Sequence, residues 1–461
     1  MQSRIRWSGA HSALSVVTRL QAIERAIPLA AVEEVLERHH CQEQRCRKLC
    51  MRQVVYLLIA MSLFARERLS LVLDRLLHTC HWLFMSDDVS TPNDAAIKYR
   101  RNQLSAAAMA DLFHQVCRPL ATAHTKGAFL FGLRLMAIDG QRINLPDTPA
   151  IARFFGRPIT DRGPGAFPQV LRMSLVELGT HATIDTGFWP VNTSEHKAGE
   201  RLLRSVLPGM LVLLDRGLFS ARMIRNTRLR GAHILSRVPA NVKPVSTRRL
   251  SDGTYLAWVA PAGHHPHKAG EGELVRIITY TFEDPNNPGH RATFRLATTL
   301  LDEKAYPGQW LAAAYHERWE IEKSYDESET HLLHGSDPLR SRSVSGLIQE
   351  LYGMLMAHYA VRALMHEAAL QAQIDSDELS FTAAVVLIQE AIRDFQMAAE
   401  CLLPDLFERL LKEIARHRVQ QRPPRWYPRV VKRKMSNFPL KRPAQRGYKT
   451  CLPYRQAIRL I

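Results

Sequence analysis

Residues 133–140 read Leu133-Arg-Leu-Met-Ala-Ile138-Asp139-Gly140, and residues 210–217 read Met210-Leu-Val-Leu-Leu214-Asp215-Arg216-Gly217. Each is a short apolar run that closes on an aspartate at a turn, the pattern of a buried strand that delivers a carboxylate at its C-terminal end. Two such carboxylates on adjacent strands of one sheet would lie close together, where like charges do not both ionise comfortably unless a cation joins them. Mg²⁺ suits that place, because it seeks oxygen and is commonly held by one or two carboxylates plus substrate phosphate. Taken singly, each Asp could equally begin a turn, as Asp after a strand commonly does.

Working outward, the texture around these two runs is that of a mixed α/β domain. Strand signals recur at Val170 to Leu178, Thr183 to Phe188 and His233 to Val238, with helical patterns at Glu195 to Leu207 and Ser220 to Arg230. Three strands, a helix, a strand, a helix and another strand predict a mixed sheet covered by helices. Upstream, 1–125 reads as helices, including an apolar run of thirteen residues from Gln53 to Ala65. Downstream, 241–300 carries alternating runs between Pro and Gly turns and reads as a β insertion. Helical periodicity returns over 301–340 and 341–420, and 421–461 reads as a basic, weakly folded tail.

Composition narrows the function classes. The 461 residues carry 62 Lys and Arg against 44 Asp and Glu, a formal charge of +18. Self-repulsion of that size is a cost unless a polyanion offsets it, and nucleic acid is the leading candidate. A membrane is the rival partner for a basic chain, but thirteen apolar residues fall short of the roughly 20 that a bilayer span needs. The N-terminus lacks an apolar secretion signal, so a cytoplasmic location is expected, with nucleoid association when bound to DNA. Seven scattered cysteines are not a disulfide framework, and reduced thiols are expected. His39, His40, Cys41, Cys46 and Cys50 lack a CxxC pair and read as part of a charged helix rather than a zinc site.

A third acidic motif lies at Tyr315-His-Glu-Arg318-Trp-Glu-Ile-Glu322-Lys-Ser-Tyr-Asp-Glu-Ser-Glu329. On one continuous α-helix, residues 315, 318, 322 and 329 would form a single narrow stripe. Here the chain resembles the insertion-sequence-four family of DDE transposases over most of its length. Asp139-Gly-Gln-Arg-Ile-Asn-Leu145-Pro146-Asp147-Thr148 is similar to the family's first block, with Gln141 where Thr is usual. Asp215-Arg216-Gly217-Leu-Phe219-Ser220 is similar to the second, and Tyr315-x2-Arg318-x3-Glu322 to the helix signature Tyr-x2-Arg-x3-Glu-x6-Lys. Glu329 stands where that signature has Lys. Three spaced motifs in order form a strong signal where one would be weak.

The resemblance implies an RNase H-like core over 126–240 and 301–340, interrupted by the β insertion, with a DNA-binding helical domain in front. It implies Asp139, Asp215 and Glu322 as the catalytic residues and as ligands of two Mg²⁺ ions, for which Mn²⁺ can substitute. It also implies cut-and-paste transposition: nicking, hairpin formation, hairpin opening, and strand transfer to target DNA. Tyr315 and Arg318 would contact the DNA backbone, and Trp258 would stack on a flipped base. The partners implied are duplex DNA, as terminal inverted repeats and target, and a second copy of the chain on paired ends. Two alternatives stay open: an inactive or weakened relative that binds transposon ends and represses transposition, and another RNase H-like nuclease.

Overall fold

A computed structural model describes residues 25–43, 49–79, 92–160, 163–261, 270, 272–283, 291–333, 339–419 and 458–460 of the protein. The chain divides into two compact units. The first comprises Met1–Phe129, Gly140–Ala198 and Glu320–Val419; the second comprises Leu130–Asp139, Gly199–Trp319 and Gln420–Ile461.

Among the described residues, the first unit opens with five helices: α1 (Leu29–Arg38), α2 (Met51–Leu63), α3 (Leu69–Thr79), α4 (Asp94–Gln103) and α5 (Ala106–Val116). Helix α2 is the apolar run of the sequence. A helix apolar on every side must be buried on every side, and α2 is buried along nearly its whole length. Asn93 starts α4 and Ser105 starts α5, each side chain accepting a backbone N–H of the first turn. In the basic segment of α4, Arg100 donates to the Leu49 carbonyl and Arg101 to Ser341 and the Gly346 carbonyl, so these two cations hold the unit together.

Strand β1 (Leu133–Asn144) runs from the second unit into the first, where its end lies beside β2 (Gln169–Glu177), which pairs antiparallel with β3 (Ala182–Pro190). Helix α6 (Pro149–Phe155) begins at Thr148, whose hydroxyl accepts from Ile151 N–H, so the Leu-Pro-Asp-Thr block is a helix start. After α7 (Glu195–Leu202), the second unit holds β4 (Met210–Leu214), α8 (Ala221–Leu229) and β5 (His233–Arg237). Both strands run parallel to their neighbour, β4 to β1 and β5 to β4. The strand succession 3-2-1 in one unit and 1-4-5 in the other is the RNase H-like order.

The β insertion contributes β6 (Val245–Arg249), β7 (Tyr255–Val259), β8 (Glu273–Glu283) and β9 (Arg291–Thr298), all antiparallel. It is less separate than the sequence suggests, because β9 pairs with β5 and extends the core sheet. Buried Arg276 fastens it, reaching Asp252, Thr254 and the Tyr306 carbonyl.

Helix α9 (Gly308–Tyr315) follows the β insertion in the second unit. In the first, α10 (Glu320–Asp326), α11 (Val344–Ala372), α12 (Phe381–Met397) and α13 (Leu403–Arg416) follow. The tail reading at 421–461 falls mostly outside the described residues, but its end, Ile458–Leu460, is a strand paired with β8. Cys46 also lies outside them. Cys41, Cys117 and Cys401 are free thiols, whereas Cys50 is disulfide-bonded, against the expectation of reduced thiols. His39 is engaged by Asp111 at 3.0 Å. Among the described residues, no helix is long and apolar enough to cross a membrane.

Candidate active site

Leu135 to Ile138 and Met210 to Leu214 are buried because they are apolar on both faces, as a parallel strand requires. Their register pairs Ile138 with Leu214, so one step further Asp139 and Asp215 stand on neighbouring strands, which lie about 4.8 Å apart. Asp215 follows the last residue of β4, whereas β1 does not end at Asp139 as the sequence suggests but continues to Asn144. Gly217 explains the Asp-Arg-Gly turn: a Cβ there would sit 3.2 Å from both Asp215 carboxylate oxygens. Leu218 N–H donates to Asp215 Oδ1 at 3.0 Å and fixes the carboxylate, while Ser220 starts α8 by accepting from Met223 N–H. Gly140 is equally constrained, since a Cβ would fall 2.5 Å from Met173 Sδ.

Arg318 donates to Asp139 Oδ2 at 2.8 Å, in a setting where the two side chains are 11% and 21% exposed. Tyr315, read from the motif as a DNA contact, is buried, and its hydroxyl donates to the Leu214 carbonyl at 3.2 Å, pinning the residue before Asp215. Burial, opposed by Arg318, pushes its pKa up to about 12, so it remains a donor. Next to it, burial together with Arg237 and Arg318 lowers His316 to about 4, leaving a neutral ring beside the Tyr280 hydroxyl. Two carboxylates offer only oxygen donors here, with a guanidinium already against one of them. That donor set fits a hard divalent cation.

The single helical stripe predicted for 315, 318, 322 and 329 is not formed. His316–Trp319 is a 3₁₀ turn and Glu327–Leu332 a π turn, on either side of α10. A 3₁₀ turn has about 3.0 residues against 3.6 in an α-helix, so the 100° step no longer applies. Glu322 lies on α10 in the first unit, whereas Asp139, Asp215, Tyr315 and Arg318 lie in the second. Trp258, on β7 of the second unit, is half-buried. Trp319, which sequence reasoning passed over, is 56% exposed next to Arg318.

Around α10 the first unit buries an ion network that no local sequence pattern announces. His181 faces Glu320 at 3.0 Å, Glu327 at 3.1 Å and Asp377 at 3.2 Å. Arg362 donates to both oxygens of Glu327, His358 meets Glu327 at 3.0 Å, and Lys323 binds Glu320 at 2.7 Å. Burial and Arg362 oppose the charging of His181, yet Glu327 and Asp377 hold its pKa well above the usual value. Burial lowers His358 to about 4. Among the described residues, His181, Glu320 and Asp377 are the group whose ligand atoms converge enough for a metal, within 4.8 Å. Protonated His181, Arg362 and Lys323 balance the carboxylates of Glu320, Glu327 and Asp377 in charge, although Arg362 Nη1, Asp377 Oδ1 and His358 Nδ1 are buried without a hydrogen bond.

Glu329 also departs from expectation. Arg340, a nearby cation in sequence, donates to the carbonyls of Phe64, Ala65 and Glu67. Glu329 turns inward, and its Oε1 is buried without a hydrogen bond.

Residues 17–114 match the family model for the insertion element 4 transposase N-terminal region, and residues 130–360 match that for the transposase DDE domain. The chain belongs to the IS4 family of DDE transposases. It is 26% identical over 407 residues to the transposase InsG of insertion sequence element IS4 from Escherichia coli K12, covering 86% of this chain and 88% of that one. A putative transposase of the same organism, InsZ, is 26% identical over 146 residues, 30% of this chain and 47% of its own length. Among solved structures, a piggyBac transposase synaptic complex with hairpin DNA matches at a TM-score of 0.41 and 12% identity, covering 95% of this chain and 92% of that one. As a DDE transposase, the protein is an enzyme that acts on DNA, and its DDE domain implies use of a divalent metal.

Proposed function

We propose that the transposase excises its insertion sequence and joins it to target DNA by nicking, hairpin formation, hairpin opening and strand transfer, with Asp139, Asp215 and Glu322 as catalytic residues. The observation that carries this reading is the parallel register that sets Asp139 and Asp215 side by side beyond Ile138 and Leu214. Glu322 is the third carboxylate by its place in the helix signature. Mg²⁺ held by these three, with Mn²⁺ as substitute, would activate the attacking oxygen and stabilise the leaving one.

The chain's own groups prepare that chemistry. Arg318, planar and permanently charged, can exchange the Asp139 carboxylate for a phosphate of the scissile strand, which its fork fits in a bidentate way. Tyr315, through the Leu214 carbonyl, fixes the backbone that aims Asp215. Two copies of the chain on paired ends would complete the DNA complex. The direct test is incubation of the purified protein with a duplex carrying the end of its own element in Mg²⁺. A nick at the element boundary, then a hairpin, supports the reading; end binding without any cleavage would favour a repressor.

Two further outcomes follow. Affinity for duplex DNA should fall steeply with salt, because Lys and Arg contacts release counterions at about 0.9 per phosphate neutralised. Neutralising Arg429, Lys432, Arg433 and Lys434 to Gln should flatten the slope, and a slope near zero in the intact protein would show that the +18 charge serves something other than DNA. For base stacking, Trp258→Ala should slow hairpin formation more than nicking, by about tenfold or more, since stacking contributes about 1–3 kcal/mol per base. If Trp319→Ala alone has that effect, the exposed Trp beside Arg318 is the stacking residue instead.

A further inference from the structure

Arg172 lies in the middle of β2 and is fully buried, an unusual place for a guanidinium. Nε donates to Ser174 Oγ at 3.0 Å, and Nη1 donates to Ser328 Oγ at 3.1 Å. The guanidinium also stacks over the Tyr325 ring, its Cζ 4.6 Å from the centroid. Tyr325 is one turn beyond Glu322 on α10, and Ser328 stands in the π turn that ends the helix, donating to the Tyr325 carbonyl at 3.0 Å. Strand β2 therefore grips the helix that carries Glu322 through one side chain.

One polar atom of that side chain, Nη2, is buried without a hydrogen bond, and so is Oε1 of Glu329, the residue after Ser328. Two orphaned groups of opposite charge on either side of one contact are each costly alone and compensate one another as a pair. π turns inside helices are rare and concentrate at functional sites. Here the π turn displaces Glu329 from the outward stripe on which an α-helical residue 329 would lie.

We infer that Arg172 and Glu329, whose unsatisfied atoms do not touch, act on one another as opposite charges within the first unit and so position the helix bearing Glu322, with Glu329 working inside the protein and not against DNA. The inference rests on the reading of Glu322 as a metal ligand. Burial raises the Glu329 pKa to about 7, with Arg172 opposing and Asp326 adding to the rise, and Glu329 in turn opposes the burial that lowers Arg172. Both residues are positioning residues, acting on the reaction only through α10.

The test combines melting temperature with Mn²⁺ affinity measured calorimetrically on the full chain. Glu329→Lys sets two cations in one buried site and should lower the melting temperature and cleavage together; adding Arg172→Met should restore much of the melting temperature. Glu329→Gln keeps the shape but not the charge, and should weaken Mn²⁺ binding by about tenfold, as loss of a group supporting a metal ligand typically does. Glu322→Gln serves as the reference for loss of a ligand. A Glu329→Lys variant as stable as the parent with tighter binding to the element end overturns the inference, as does Glu329→Gln with parental Mn²⁺ affinity while Glu322→Gln has lost it. If Glu322→Gln itself binds Mn²⁺ as the parent does, the ligand reading has failed. The pair then stands or falls on the melting-temperature rescue by Arg172→Met.

Discussion

Asp139→Asn, Asp215→Asn and Glu322→Gln should each reduce strand cleavage by on the order of 10³-fold or more. Metal ions holding developing charge contribute several kcal/mol to the transition state, and each 1.4 kcal/mol is a factor of about ten. The amide variants keep the volume of the side chains they replace, so the β1–β4 register and the Leu218 contact at Asp215 survive. Binding to the element end on native gels should therefore stay near parental. For Asp139→Asn it should tighten, because Arg318 loses the carboxylate it holds at 2.8 Å and is released for phosphate. Nicking of an end duplex in Mg²⁺ is the measurement, with binding measured in parallel. A variant that cleaves within about tenfold of the parent is not missing a metal ligand, since such losses are typically larger.

The part of this site that was legible in the sequence is the part built from local patterns. Apolar runs closing on Asp139 and Asp215 declare buried strands, and the helical pattern from Ser220 declares the helix that Ser220 caps, because strand burial and capping involve neighbours in the chain; the helix that starts at Thr148 was not read. The geometry after Tyr315 was hidden for the opposite reason. Helical periodicity assumes an unbroken 3.6-residue turn, while tertiary packing imposed a 3₁₀ turn before α10 and a π turn after it. Arg172 lies in a strand as if it were a surface cation, and nothing beside it in sequence announces Tyr325 or Ser328, some 150 residues on. Tyr315 matched its motif, yet nothing in the motif announces that its hydroxyl meets the Leu214 carbonyl, 101 residues away in sequence. His181, Glu327 and Arg362 escaped entirely, since charged residues far apart in sequence become a network only once folded.

That network carries the second large expected effect. Arg362→Met should destabilise the first unit by about 3–5 kcal/mol, the usual consequence of leaving a buried charge without its partner. Arg362 is 2% exposed and donates from Nε to Glu327 Oε2 at 2.8 Å, so the variant removes the guanidinium from a buried carboxylate and leaves it to the rings of His181 and His358. Glu327→Gln should be less harmful than Arg362→Met, because the amide retains a hydrogen-bonding group facing His358. The pH dependence distinguishes this mechanism from simple loss of packing. Burial would raise the Glu327 pKa, but Arg362 and His181 hold it well below the usual carboxylate value. Its contribution is thus fully present above the unfolded carboxylate pKa and lost as the pH falls through the folded value. His181, held well above the usual histidine pKa, contributes below its unfolded value and loses that contribution as the pH rises through the folded one. Thermal melting of parent and Glu327→Gln should therefore differ most between those limits and converge toward acid, where the parent's own carboxylate takes up its proton. A stability difference that stays constant from neutral pH into acid would mean that Glu327 serves through shape alone, and that the charges around α10 do not hold it.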